Sequence, residues 1–202
     1  MNVSMVGARV LLRAGGDRMQ EQAGRLTRFA LSEQLPDGAW KYAVEGRGGW
    51  MDSYHTGFIL EGLLSIRALG YPVPADALER GFRAYARFFD PNGGARYSPE
   101  ANAPYDAHSA AQGIVTYAAR ATDGSESDEA RAEAVERVDR IAQWALAKLW
   151  LPERGHFAHR ITRGHRDETE YSRWVQAWMA LALGTAVALE TRTEVAASPV
   201  AL

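Results

Sequence analysis

Two kinds of apolar segment alternate along this chain. Segments such as ERGFRAYARFF and EAVERVDRIAQWALAKL carry charge on one face and apolar residues on the other. That pattern belongs to amphipathic helices of an outer layer. Segments such as HTGFILEGLLSI, HSAAQGIVTYAA and WVQAWMALALGTAVAL are apolar nearly all round, as an inner layer requires. β-branched alternation is scarce, and Ala, Leu, Arg and Glu dominate. Gly and Pro cluster at 15–16, 36–38, 46–49, 70–74, 91–94, 99–104 and 152–155 and punctuate the pattern. It predicts helices over about 3–14, 18–34, 52–69, 75–89, 106–121, 128–150 and 169–189. DGSESDEA at 123–130 reads as an acidic loop that caps the next helix, and 190–202 as a flexible tail.

The segments pair into a repeat. Each unit is a helix, a Gly with an aromatic close behind it, a polar loop of about ten residues, a carboxylate and a second, more apolar helix. Gly38, Gly93 and Gly155 correspond, as do Tyr42, Tyr97 and His159. Asp52, Asp106 and Glu170 fall at the start of the second helices. A helical hairpin cannot bury an all-apolar helix alone, so neighbouring hairpins must stack. The predicted fold is all-α: helical-hairpin repeats in an α/α toroid or a partial, open one, as a single domain over 1–189. Every inner helix would start on one face, and the polar groups at those starts would gather at one mouth.

Composition narrows the chemistry. A net charge of −2 gives no electrostatic footprint for nucleic acid. The absence of cysteine removes disulfides, thiolate nucleophiles and Cys-ligated zinc. No run approaches the roughly 20 apolar residues of a membrane span. VSMVGARVLL lacks a basic leader, so no signal peptide is expected and a cytoplasmic location is the default. His156, His159 and His165 share one loop without tight ligand spacing, so no metal and no cofactor is expected.

The motifs QLPDGAW, WMDSYHTG, DAHSAAQ and RWVQAWM, in this order over about residues 3 to 189, resemble a family of bacterial α/α-toroid proteins associated with polysaccharide biosynthesis. That family is related in fold to six-hairpin glycosidases, unsaturated-glucuronyl hydrolases, sugar 2-epimerases and heparinase-type lyases. The resemblance implies a carbohydrate-active or carbohydrate-binding protein, of hydrolase, lyase or epimerase type if catalytic, whose partner is an oligosaccharide or polysaccharide precursor. A full toroid has about a dozen helices and this pattern gives seven. The chain therefore reads as a C-terminal portion whose exposed inner face would favour self-association. FALSEQLPDGAW also resembles the glutamine-tryptophan repeat of terpene cyclases, which makes a cyclase- or prenyltransferase-like toroid the alternative. A non-catalytic scaffold of a polysaccharide assembly system is a third reading. Gln34 and Trp40 are read as structural.

The candidate catalytic residues are Asp52, His55, Asp106, His108, Glu170 and Tyr171. They supply carboxyl groups and proton-accepting partners, as sugar chemistry requires. Trp50, Tyr54, Tyr105, Arg173 and Trp174 are the candidate substrate-binding residues: aromatics to stack on sugar rings, and a guanidinium to hold a uronic carboxylate. Asp52 and Asp106 have a plainer reading as helix N-caps.

Overall fold

The hairpins are joined through two glycines whose backbone no other residue would adopt. Gly38 has φ +90° and Gly93 φ +91°. A Cβ on Gly38 would lie 2.2 Å from the Arg80 carbonyl oxygen, and one on Gly93 2.1 Å from that of Arg140. Both positive φ and close approach demand glycine. Each carbonyl belongs to the outer helix of the next hairpin, so the sequence repeat is a structural one. Gly155 shares the positive φ, +68°, but its Cβ would meet nothing within 4 Å.

The computed structural model of the chain describes residues 2–43 and 49–197. The expected glycine turn at 46–49 lies largely outside them, as do the last residues of the expected tail, 198–202. The chain divides into two units.

Unit 1 comprises residues 1–90 and 96–103. It holds α1 (Asn2–Ala14), α2 (Asp17–Ser32), α3 (Ser53–Ala68) and α4 (Ala75–Ala86). α1 packs on α2 and α3, and α3 on α4. α3 is the inner helix, buried through Ile59, Leu60, Leu63, Leu64 and Ile66. α4 buries one face, including Leu78, Phe82 and Tyr85, and leaves Asp76 and Arg83 outside. Gln34 and Trp40 are structural here. The Gln34 amide donates to the carbonyls of Gly38 and Ala77, and the Trp40 indole to that of Ala30. These bonds tie the loop after α2 to both outer helices.

Unit 2 comprises residues 91–95 and 104–202. α5 (Ala107–Ala121) packs against α6 (Asp128–Lys148) and α7 (Ala177–Ala197). Ser127 caps α6 by accepting from the Ala130 amide at 3.1 Å, and Asp128 and Glu129 suit its positive end. α7 runs to Ala197, past the predicted end at 189, and a π-helical turn, Ser172–Gln176, precedes it.

The polar loops of unit 2 carry short strands that the helical pattern does not predict. β1 (Tyr105–Asp106), β4 (Arg160–Thr162) and β5 (His165–Asp167) form an antiparallel sheet in the order β1-β4-β5. β2 (Trp150–Leu151) pairs with β3 (His156–Phe157). Strands of two or three residues are too short to show a period of two. The register of the larger sheet pairs Asp106 with Arg160, and Arg160 with Asp167.

Candidate functional site

Cross-strand partners project on one face of a sheet. In unit 2 the register therefore sets a carboxylate, a guanidinium and a carboxylate in a row. Asp106 is also the N-cap of α5: its Oδ1 accepts from the Ser109 amide at 3.1 Å. The capping reading of this residue thus holds, yet uses one oxygen. The other, Oδ2, lies 3.5 Å from an Arg160 guanidinium nitrogen and 3.8 Å from His159 Nε2. Only 4 % of Asp106 is exposed. Burial pushes its carboxyl pKa up, and this outweighs the lowering pull of the Ser109 amide, Arg160 and His159.

Asp167 is driven the other way. Hydrogen bonds from Thr169 and His159 hold its carboxyl far below the usual carboxylate range. His159 lies between the two acids. Its Nδ1 donates to Asp167 Oδ2 at 3.0 Å, and its Nε2 accepts from Arg160 at 3.0 Å. Both bonds fit the tautomer with its proton on Nδ1. The chain of groups runs Asp167, His159, Arg160, Asp106.

His159 and Arg160 open onto a cavity of about 630 Å³ completed by Glu170, Tyr171, Ser172, Arg173 and Trp174. The π-helical turn shapes this wall. The Tyr171 carbonyl accepts from the amides of both Val175 and Gln176, at 2.8 and 3.2 Å. A widened turn re-aims the side chains on it. Tyr171 stands edge-on to His159 with ring centroids 4.8 Å apart, and Trp174 is 62 % exposed.

Other expected members take different positions. Glu170 is an exposed residue of the cavity wall and caps no helix. Tyr105 precedes Asp106 on the strand, so its ring leaves on the opposite face and packs on Trp144 at 5.2 Å. His108 is buried and meets Trp174 and Trp178 edge-on or tilted, at 5.7 and 5.3 Å. The histidine beside Asp106 is His159, from the following loop.

Unit 1 has its own polar cluster at the start of α3. Asp52 caps the helix through its Oδ1, which accepts from the His55 amide at 2.8 Å. His55 Nδ1 also approaches both carboxylate oxygens, at 2.9 and 2.8 Å. Tyr42 and Tyr54 present rings to the imidazole at 4.5 and 5.1 Å. Tyr42 stacks on Trp50 with centroids 4.8 Å apart and an interplanar angle of 14°, and both are over 40 % exposed. Burial, then Asp52 and Glu61, raise the Tyr54 pKa.

His159, Arg160, Asp167 and Tyr42 are absent from the sequence-derived set. Tyr42 and His159 carried one signal, their equivalence in the repeat. The loop residues of that repeat also bond alike: the Tyr97 carbonyl accepts from the first amide of α3, Ser53, and the His159 carbonyl from that of α5, Ala107.

Solved structures with this arrangement of helices exist. The chain is similar to an unsaturated glucuronyl hydrolase from Bacillus sp. GL1, responsible for the degradation of glycosaminoglycan. The TM-score is 0.68 at 15 % identity, over 90 % of this chain and 58 % of that one. The chain has the mostly helical hairpin fold of the α/α-toroid class. A variant of UGL with dGlcA-Glc-Rha-Glc is similar with a TM-score of 0.65 at 16 % identity and the same coverage. The chain thus spans somewhat over half the length of both structures. No protein-family model matches it, and no curated protein does. Neither likeness carries a link to polysaccharide biosynthesis. Among the described residues no helix is long and apolar enough to cross a membrane.

Proposed function

We propose that this protein is carbohydrate-active, of glycoside hydrolase type, and acts on an oligosaccharide bearing a uronic acid. The observation that carries this reading is geometric: two carboxyl groups stand at either end of His159, Asp106 buried and Asp167 part-exposed and hydrogen-bonded, beside a polar cavity. Environments that separate two carboxyl pKa values define an acid and an ionised partner. Asp106, held toward its protonated form, gives its proton to the glycosidic oxygen as the C–O bond breaks. The Asp106 carboxylate so formed takes the proton of the attacking water, which His159, oriented by ionised Asp167, positions at Nε2. Water is consumed and two hydroxyl-bearing products result. Arg160 would have to turn from His159 toward the sugar, where with Arg173 it pairs with the uronate. Tyr171 and Trp174 stack on sugar rings, and Glu170 accepts from hydroxyls.

The choice of a hydrolase over an epimerase or lyase follows from the acid pair; the similar structures, a glycosaminoglycan-degrading hydrolase and a variant with a dGlcA-containing oligosaccharide, share the fold and suggest the substrates to try. The cavity supports it over a cyclase: six of its seven wall residues carry charged or hydrogen-bonding side chains besides Trp174. In unit 1, Asp52, His55 and Tyr54, with the Tyr42–Trp50 stack, form a further sugar-contacting group in this reading.

Tryptophan fluorescence tests the binding part. Uronate oligosaccharides should quench the wild type saturably and neutral ones weakly. Arg173→Ala should weaken uronate binding about tenfold and spare the neutral sugars. Equal affinity for both sugar classes, or no effect of Arg173→Ala, would remove the uronate from the reading.

A further inference from the structure

Strand alternation separates two hollows in unit 2. Arg160 lines the cavity beside His159, and the next residue, Ile161, lines a second cleft of about 980 Å³. Its polar walls are Lys148 at the end of α6, Arg154 in the β2–β3 turn, His165 and Arg166 of β5, and Glu168 and Thr169. Three permanent cations thus surround one carboxylate, within a chain of net charge −2.

That carboxylate is already clamped. Arg154 lies 3.2 Å from Glu168 Oε2, and Arg166 3.0 Å from its Oε1. Two guanidiniums converging on one anion, one from the β2–β3 turn and one from β5, is the geometry of oxoanion recognition. Lys148 and His165 have no acidic partner among the described residues. The hairpin keeps these groups together: Thr162 pairs with His165 across a two-residue turn in which Arg163 has φ +50° and Gly164 φ +79°. Such turns favour Asn or Gly at the first position, and an arginine there is the costlier choice. It adds a further exposed cation at the tip.

We propose that this cleft binds a phosphate monoester group, with Glu168 as the internal anion that the phosphate displaces or joins. The charge selects the class. With Glu168 in place the cleft retains two positive charges, which a phosphate monoester matches with close to two negative charges at neutral pH. A sulfate ester or a carboxylate brings one. Lys148 and His165 supply donors to oxygens that the two arginines leave free.

The test is an NMR titration at constant ionic strength, read at the His165 ring and the Gly164 amide, with inorganic phosphate, glucose 6-phosphate and glucose 6-sulfate. Saturable shifts at both positions are expected, with the phosphate ester bound more tightly than the sulfate ester. Lys148→Ala and Arg166→Ala should each weaken binding about threefold to fivefold. Glu168→Gln should tighten it by a similar factor, since it removes the competing carboxylate. Absence of saturable shifts at His165 and Gly164, or unchanged affinity in Arg166→Ala, would overturn the site. Equal affinity for the two esters would overturn the assignment to a dianion. These readouts lie apart from Trp174, so failure of the sugar-cavity reading and failure of this one are separable.

Discussion

Asp106 and Asp167 stand at opposite ends of one imidazole, and their carboxyl groups are driven in opposite directions. This gives two stability predictions of opposite sign. The raised pKa of Asp106 means that the folded state binds a proton the unfolded chain has lost. Its contribution is present below the unfolded value of about 3.9 and is lost as pH rises through the higher folded value. Asp106→Asn cannot ionise and still caps α5, because Asn and Asp are near-equal caps. Thermal unfolding at neutral pH should therefore find this variant at least as stable as the wild type, with the difference vanishing in acid. Asp167 contributes above its unfolded value and loses that contribution as pH falls. Asp167→Asn should lower the melting temperature at neutral pH and converge with the wild type in acid. The same sign for both variants would contradict the split. At this scale the sequence showed Asp106 but not its partner. His108 sits two residues after the cap, whereas His55 sits three after Asp52. The third helical position is the one that reaches back to the cap, so His55 meets its aspartate and His108 turns toward Trp174 and Trp178.

The helices follow their apolar spacing closely; what the pattern did not show is how the loops between them are built. α2 through α6 start and end within a few residues of the predicted bounds. β4 and β5 were hidden because three residues carry no readable period, and the π-helical turn because its wider hydrogen bonding leaves no mark on composition. Arg160 and Asp167 reach Asp106 and His159 through strand register alone, which spacing in sequence does not reveal. The glycines of the repeat, by contrast, were legible and now carry a graded prediction. Gly93→Ala forces both a left-handed backbone and an overlap with the Arg140 carbonyl, so it should cost about 2–4 kcal/mol in chemical denaturation. Gly155→Ala meets open space and should cost about 1 kcal/mol. Equal costs would show that the loop after Phe89 relaxes away from α6.

For the molecule as a whole, the expectation of all-α hairpin repeats, in a toroid or a partial one, holds, because solved structures of that fold class match 90 % of this chain. The repeat made that readable: a hairpin whose inner helix is apolar on every side has to be one of several. At 15 % identity the likeness conveys the path of the chain and not its chemistry. The chemistry rests on the cluster around His159. The most direct measurement is therefore cleavage. The protein would be incubated with a uronate-terminated oligosaccharide of the kind dGlcA-Glc-Rha-Glc, and the products weighed by mass spectrometry. The wild type should release the terminal uronate, with a mass gain of one water across the products. Asp106→Asn should lose about a hundredfold or more of that activity with helix content unchanged. Cleavage by Asp106→Asn at the wild-type rate, or a folded wild type that binds the oligosaccharide and leaves it intact, would contradict the assignment of Asp106 as the acid of a glycoside hydrolase.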